Sequence, residues 1–367
     1  MRACLSTILI ACLLLALAGV LGGQEQPEPD QSNASAEYTT TSMCIPGIPP
    51  LQWGKGMDCT FFGALTHALR YLGEHVSYEY LMGMSGAAFA TRFHTDWSAK
   101  SPDAALSGDH PSAALRAVGY AYEWSGLDLN ESPGLIMASI ERNMPVIGNQ
   151  LTGTGDWGLV VGYEFMGEVW FCRTYRDKST GYTRVPKTPQ NMLVLKEKIE
   201  PPSWSESVRK SLKLAVEFAK DGHKLPDPKY QVGLKAFDAW NQALRDKSKL
   251  GTGKELERTM HINAWIYGSL LDARKAGVLY LRWAAKQLDG DVRKLVGEAA
   301  DSYDEEVDLL DSGKKCAPYP HQVKSEPKWT DGMREDQIAI LEQAVEKEKL
   351  AIASLEKALA ALDAPKQ

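Results

Sequence analysis

The sequence predicts an α+β protein in which a mixed region of helices and antiparallel strands precedes an all-helical region. Strand-like apolar runs occur only before residue 199, whereas helical spacing of apolar residues dominates from residue 203 onward. Between the two lies Pro201-Pro202, and consecutive prolines end the preceding element. A length of 367 residues suits two domains of ordinary size.

The composition excludes several classes of protein. Hydrophobic residues make up 44% and charged residues 24% of the chain, which are values of globular proteins rather than of disordered, collagen-like or polytopic membrane chains. The net charge of −6 offers no basic excess for nucleic acid or acidic lipid. We predict four segments: a signal peptide at 1–23, a flexible linker at 24–44, a mixed domain at 45–200 and a helical bundle domain at 201–367.

The first segment has the pattern of a cleaved signal peptide. Arg2 supplies a positive start, an apolar run extends from Ile8 to Leu21, and Ala16-Leu17-Ala18 is a small-residue cleavage site. The apolar run is short for a membrane span, which needs about 20 residues. We therefore expect export to the periplasm or the extracellular space, with no stable membrane span after cleavage.

The mixed domain begins with helices and continues with strands. One helix is predicted from Cys59 to Leu72, because its apolar residues recur at intervals of three and four. Two shorter helices are expected at 112–118 and 134–142. Strands are expected at 145–148, 159–163 and 168–175, with the last two joined by Met166-Gly167 as in a hairpin. Helices followed by antiparallel strands indicate an α+β domain.

The second half carries helical spacing throughout. Helices are predicted at 205–221, 230–247, 255–288 and 292–310, and a heptad pattern follows from Leu341 to Leu362 with Glu348 at the position that breaks it. Three heptads could form a coiled-coil pair, but packing back onto the other helices is the simpler expectation. This domain could offer a surface to a protein partner.

Chemistry is concentrated in the stretch from Gln52 to Thr60. Cys59 stands at the first turn of a predicted helix, where unpaired N–H groups and the helix dipole favour a thiolate and should lower the pKa of the thiol. The side-chain amide of Gln52 could stabilise a developing oxyanion beside it. The alternative is that Cys59 is an ordinary buried cysteine.

These residues resemble a known group. Asp58-Cys59, the segment from Leu69 to Gly73, and Val76-Ser77 are similar to the opening of the double-glycine, bacteriocin-leader type of papain-like cysteine peptidase. The segment from Tyr80 to Phe89 is closer to the N-terminal domain of butirosin biosynthesis protein H, a papain-like relative used for acyl transfer. The resemblance covers residues 45–195 and implies a papain-like fold with Cys59 as nucleophile.

The chain departs from that family at three positions. Thr60 follows the cysteine where the peptidases have glycine, and Asp156 stands where they have the general-base histidine. The next strand has Cys172-Arg173-Thr174 in place of the orienting Asp or Asn. An aspartate with a pKa of about 3.9 is a poor base unless burial raises that pKa. If Asp156 instead pairs with a Lys or Arg, its negative charge disfavours a thiolate.

Three interpretations of these departures stay open. In the first, Asp156 is a desolvated base. In the second, a histidine from elsewhere takes the place of the family histidine, and His94, His110 and His261 are the candidates. In the third, the site is inactive and only binds. The sequence therefore supports two functions. One is acyl transfer or amide or thioester hydrolysis through Cys59, Gln52 and Asp156 on a peptide or acyl-bearing substrate; the other is an inactive peptidase-like module that binds a peptide or protein.

The remaining cysteines and histidines indicate no further chemistry. Their spacing fits no metal site, and we expect neither a metal nor another cofactor. Cys44 could form a disulfide with Cys172 or Cys316, and the sequence does not choose between them.

Overall fold

An antiparallel sheet and a set of long helices make up the fold, which is α+β as predicted. The computed structural model describes residues 42–106, 109–125, 131–220 and 225–364. These residues belong to one compact unit. The predicted signal peptide and nearly all of the predicted linker lie outside the described residues. Below, the described residues up to 200 are called the sheet region and those from 201 the helical region.

Helices occur in both regions and are longest in the second. Those of the sheet region are α1 (Thr60–Tyr71), α2 (Tyr78–Met84), α3 (Asp109–Val118) and α4 (Ser132–Glu141). Those of the helical region are α5 (Trp204–Lys220), α6 (Leu234–Arg245), α7 (Lys254–Lys286), α8 (Gly290–Ser312) and α9 (Asp331–Asp363).

The main sheet is antiparallel, with six strands in the order β3-β8-β4-β5-β6-β7 and β1 paired to β5. Its strands are β1 (Met43–Cys44), β3 (Tyr120–Ser125), β4 (Val146–Asn149), β5 (Trp157–Glu164), β6 (Val169–Arg173), β7 (Thr183–Val185) and β8 (Met192–Lys198). A second, two-stranded sheet joins β2 (Arg92–His94) to β9 (Tyr230–Val232).

The central strand β5 explains why the first helix lies where it does. Seven of its eight residues are buried, so both faces of this strand are covered. Helix α1 packs against it and contributes an unbroken run of ten buried residues from Thr60 to Leu69. The N-terminal end of α1 is tied to the start of β5, because the Trp157 N–H donates to Thr60 Oγ1 at 3.1 Å.

The helical region is built around α7, which packs against α8 and also against α2 of the sheet region. The contact with α2 requires a glycine, since a Cβ on Gly83 would lie 1.9 Å from the Tyr280 ring. The predicted boundary at Pro201-Pro202 therefore separates two kinds of secondary structure that share one compact unit.

One expectation for the helical region is wrong. Residues 230–232 form strand β9, which pairs with β2 of the sheet region, where we expected the start of a helix. Three residues are too few to show an alternation of apolar and polar side chains, so the neighbouring helical pattern hid the strand.

A buried charged cluster explains the broken heptad of α9. Glu348 is fully buried and accepts hydrogen bonds from Arg274 of α7, whose guanidinium also reaches Glu306 of α8. The heptad is thus broken at a position that faces the core, and α9 packs on α8 as expected for a bundle. In the described part of the chain, no helix is both long and apolar enough to cross a bilayer.

Candidate functional site

Cys59 lies at the N-terminal end of α1, as predicted. It is the N-cap residue, and its carbonyl oxygen accepts the first helical hydrogen bond from the Gly63 N–H at 2.8 Å. The Phe62 N–H faces its sulfur and favours the thiolate. The side chain is half-buried and is a free thiol. The position of Cys59 at the helix start therefore favours a thiolate.

The electrostatics of Cys59 oppose that geometry. Burial is the largest influence on the thiol and outweighs the Phe62 N–H, so that the pKa of Cys59 is raised to about 12. The negative charges of Asp272 and Asp103 raise the pKa by smaller amounts, and the positive charge of Arg92 lowers it. The predicted lowering of the pKa is therefore wrong. The cause is the environment rather than the position on the helix, because desolvation and two like charges outweigh the donors at one helix end.

A hydrogen-bonded pair from elsewhere in the fold holds the backbone at Cys59. The Cys59 N–H donates to the hydroxyl of Tyr78 at 3.0 Å, and that hydroxyl donates to Asp272 Oδ2 at 2.5 Å. Tyr78 begins α2 and is only 2% exposed, whereas Asp272 is contributed by α7. Burial raises the pKa of Asp272 to about 6 and that of Tyr78 well above its usual value.

Gln52 does not take the predicted place beside the thiol. It is exposed, and its side chain makes no hydrogen bond to any residue that the structure describes. The next residue, Trp53, turns inward instead. Its ring lies 4.6 Å from that of Tyr175 and 5.0 Å, edge to face, from that of Trp265 on α7. The loop before Cys59 thus contributes an aromatic contact between the two regions rather than an amide at the sulfur.

Asp156 is engaged in an ion pair. Its Oδ2 accepts from Arg176 Nε at 3.1 Å and from Thr154 Oγ1 at 2.8 Å. The residue immediately precedes β5 and, through Trp157 and Thr60, lies close to the start of α1, as the sequence predicted. Of the two expected states, the pairing with an arginine is the one observed.

A third carboxylate belongs to the surroundings of Cys59. Asp103, in the loop before α3, accepts from the indole Nε1 of Trp157 at 3.1 Å and from the Ala105 N–H at 2.9 Å. Burial raises its pKa. The buried guanidinium of Arg92 reaches the backbone oxygen of Asp103 at 3.4 Å, and burial lowers the pKa of Arg92.

The three candidate histidines have other roles. His94 lies 3.1 Å from Asp227, and His261 packs on the ring of Tyr319. His110 is buried, with Nδ1 at 2.9 Å from the backbone oxygen of Ser85 and Nε2 against Arg92. Within the described residues, none of the three forms a hydrogen bond to Cys59.

The other three cysteines that the structure describes form no disulfide. Cys44 is exposed on β1, whereas Cys172 and Cys316 are buried, and all three are free. Over the described parts of the chain, no group of three or more His, Cys, Asp or Glu side chains is placed to hold a metal ion.

No family model and no curated protein matches the chain. The family resemblance in residues 45–195 therefore stays a prediction, and the function has to be argued from the site.

Sequence reasoning missed Tyr78 and Asp272. Asp272 is more than 200 residues away from Cys59, and no local spacing connects them. One signal was available: Asp272 stands seven residues after Trp265 and so shares a helix face with that tryptophan. Tyr78 carried no comparable signal, because a buried tyrosine at the start of a helix is common.

Proposed function

We propose that this chain is an exported papain-like protein whose site beside Cys59 binds a peptide or protein partner and does not use Cys59 as a thiolate. One observation carries the proposal. Burial raises the pKa of the Cys59 thiol to about 12, while the backbone N–H that an oxyanion would need is already bonded to Tyr78.

The protonation state argues against covalent catalysis. With a pKa of about 12, roughly one thiol in 100,000 is ionised at pH 7. Papain-like enzymes overcome this by pairing the cysteine with a histidine, which lowers the thiol pKa and accepts its proton. Here the charged groups that act on Cys59 include two carboxylates, Asp272 and Asp103, which disfavour the thiolate.

The backbone argues in the same direction. A papain-like mechanism needs free N–H donors for the oxyanion, and each backbone N–H has a single hydrogen to give. The hydrogen of Cys59 is donated to Tyr78. A substrate oxygen would have to displace that hydroxyl, and Gln52, the second expected donor, is exposed.

Binding is supported by the aromatic residues around Trp53, in the loop before Cys59. Trp53 is half-buried and packs between Tyr175 of the sheet region and Trp265 of the helical region. Tryptophan and tyrosine supply much of the binding energy at protein interfaces because they bury a large, rigid apolar surface. A partner at this loop would contact both regions, which fits the expected role of the helical region.

The papain-like fold and the export are supported by the sequence. Cys59 opens a helix that packs on an antiparallel sheet, in the order expected for that family. The pattern of Arg2, the apolar run from Ile8 and Ala16-Leu17-Ala18 supports cleavage and export.

The thiol half of the proposal is tested by alkylation of Cys59 with iodoacetamide from pH 6 to pH 11, followed peptide by peptide in a mass spectrometer. We expect slow alkylation up to pH 9 and a midpoint far above the ~8.5 of a free thiol. Cys44, which is exposed in the same molecule, serves as the internal reference. Rapid alkylation of Cys59 at pH 7 would overturn the proposal.

The binding half is tested by selecting peptides from a displayed random library on the intact protein. The selected peptides should lose at least tenfold in affinity on Trp53→Ala and keep their affinity on Trp204→Ala. Trp204 is a suitable control because it is 39% exposed at the start of α5. A library without enrichment, or equal losses in the two variants, would count against a binding site at Trp53.

A second candidate function is favoured by one observation. Burial raises the pKa of Asp272 to about 6, which places a carboxylate that titrates near neutral pH within electrostatic reach of Cys59. Such a group suits general acid–base catalysis in acyl transfer or in amide or thioester hydrolysis. Turnover of a simple alkyl thioester that is abolished by Cys59→Ala would establish this function in place of the first.

A further inference from the structure

Asp272 is the residue of the helical region that reaches the start of α1. Its carboxylate accepts the hydroxyl hydrogen of Tyr78 at 2.5 Å, and the backbone N–H groups of Asp58 and Cys59 face it. Among the described residues, no Lys or Arg forms an ion pair with Asp272. The charge of this half-buried carboxylate is therefore balanced only by hydrogen-bond donors, and those donors belong to the Cys59 site.

The direction of the hydrogen bonds follows from the tyrosine. A phenol has one hydrogen, and an ionised carboxylate can only accept. Tyr78 therefore gives its hydrogen to Asp272 and uses a lone pair to accept the Cys59 N–H at 3.0 Å. The two hydrogen bonds thus run in one direction, from the Cys59 N–H to the Tyr78 hydroxyl and from that hydroxyl to Asp272 of the helical region.

We propose that Asp272 is a positioning residue for the Cys59 site: through Tyr78 it fixes the Cys59 amide, and its charge adds to the burial that favours the thiol form. This inference rests on the proposed function, because it explains how the helical region contributes to keeping the cysteine unreactive. It assigns to α7 a role in the site beyond packing.

The other charged groups at the site are bonded differently. Asp103 acts on Cys59 only through space, since its carboxylate is held by the Trp157 indole and the Ala105 N–H. Arg92 has the opposite sign and is directed to a backbone oxygen and to His110.

Asp58 is the remaining carboxylate next to Cys59. Its Oδ1 accepts the Gly54 N–H at 2.7 Å, within its own loop. Of the carboxylates that the structure describes around Cys59, Asp272 is the one joined by hydrogen bonds to the Cys59 backbone.

The test separates the charge of Asp272 from its hydrogen bond. Asp272→Asn keeps an acceptor for Tyr78 and removes the charge, so the midpoint of Cys59 alkylation should fall by about one pH unit. The rate at pH 8 should rise about tenfold, because one pKa unit changes the thiolate fraction tenfold. Asp272→Glu restores the charge and should return the rate towards that of the wild type.

The matched control is Glu257→Gln, which removes one negative charge from an exposed ion pair on the same helix. It should leave the alkylation profile of Cys59 unchanged. Tyr78→Phe supplies an independent readout, because it removes the acceptor of the Cys59 N–H. Hydrogen exchange at that amide should accelerate at least tenfold, whereas the alkylation midpoint stays high.

The outcomes distinguish this inference from the proposed function. If wild-type Cys59 already reacts quickly at pH 7, the proposed function fails. If the wild type is unreactive but Asp272→Asn and Glu257→Gln have the same profile, the inference fails while the function stands. An unchanged exchange rate in Tyr78→Phe, with the fold intact by circular dichroism, would also overturn the inference.

Discussion

Among the buried arginines, Arg173 of the sheet region and Arg274 of the helical region have their positive charges compensated in different ways. In the sheet region, Arg173 donates to three backbone carbonyl oxygens at 2.7 to 2.8 Å and reaches Asp177 at 3.4 Å. In the helical region, Arg274 pairs with two buried carboxylates, Glu306 at 3.2 Å and Glu348 at 2.7 Å. The first arginine is held mainly by the backbone and the second mainly by charge.

The difference follows from the secondary structure around each residue. Loops at the edge of a sheet leave carbonyl oxygens unpaired and available to a guanidinium. Within helices the carbonyl oxygens are already bonded to the backbone, so a buried arginine needs side-chain acceptors. Arg274 finds one carbonyl as well, that of Ala88, which belongs to a short turn of the sheet region and not to a helix interior.

The largest effect is expected for Arg274→Met. The change leaves Glu306 and Glu348 buried without their cation, and breaking a buried pair in this way costs about 3–5 kcal/mol. Urea denaturation followed by circular dichroism measures the free energy of unfolding. Arg282→Met on the same helix is the control, because its exposed pair with Asp304 contributes about 0–1 kcal/mol.

If the two variants lost equal stability, the charged cluster would not be a main stabilising contact of the helical region. The two arginines would then differ in the partners that they bond but not in what those partners contribute to stability.

A smaller loss is expected for Arg173→Met. The variant leaves backbone carbonyl oxygens without their donor, which costs about 1–3 kcal/mol for buried groups. Asp177 keeps three other donors, from Thr174 and Thr183, and so does not become an unpaired buried charge. The same denaturation series checks this value. A loss larger than that of Arg274→Met would reverse the comparison.

The smallest effect is a change with pH at the contact between the two regions. Burial raises the pKa of Asp272 to about 6, whereas an unfolded chain has a value of about 3.9. The folded protein therefore binds this proton more tightly. The stability that the group contributes is complete below about pH 4 and is lost as the pH rises through about 6.

Asp272→Asn does not titrate and should escape this loss. Between pH 4 and pH 7, its free energy of unfolding should gain about 1–2 kcal/mol relative to the wild type, less than the full shift because the carboxylate is half-buried. Denaturation at the two pH values measures the difference. If the difference in free energy of unfolding between variant and wild type did not depend on pH, Asp272 would be ionised in the folded protein at both pH values.

What the sequence could predict was the part that depends on local spacing. Strands β4, β5 and β6 and helices α1, α5, α7 and α8 have clear periodicity, and the structure has them near the expected bounds. Helix α6 begins at Leu234 rather than at 230, and α9 begins at Asp331, ten residues before the heptad that starts at Leu341. The position of Cys59 at a helix start followed from the same local pattern. Strand β9 escaped because its pairing with β2 joins residues nearly 140 positions apart.

The chemistry of the site could not be predicted in the same way. The position of Cys59 on α1 favours a thiolate, but its pKa is decided by burial and by carboxylates from two distant segments. Gln52 was assigned from its place shortly before the cysteine and Asp156 by analogy with a family pattern, and neither is bonded to Cys59. Glu348 was the exception, since the broken heptad marked it as unusual before its partner was known.

Helix α7 has a mechanical consequence for both regions. Its 33 residues form a rod of about 50 Å. Trp265 and Asp272 are seven residues apart and share one face, whereas Arg274 lies about 200° around the axis from Asp272. Helix α7 is therefore held on two sides, at Tyr78 through Asp272 and at the two buried glutamates through Arg274.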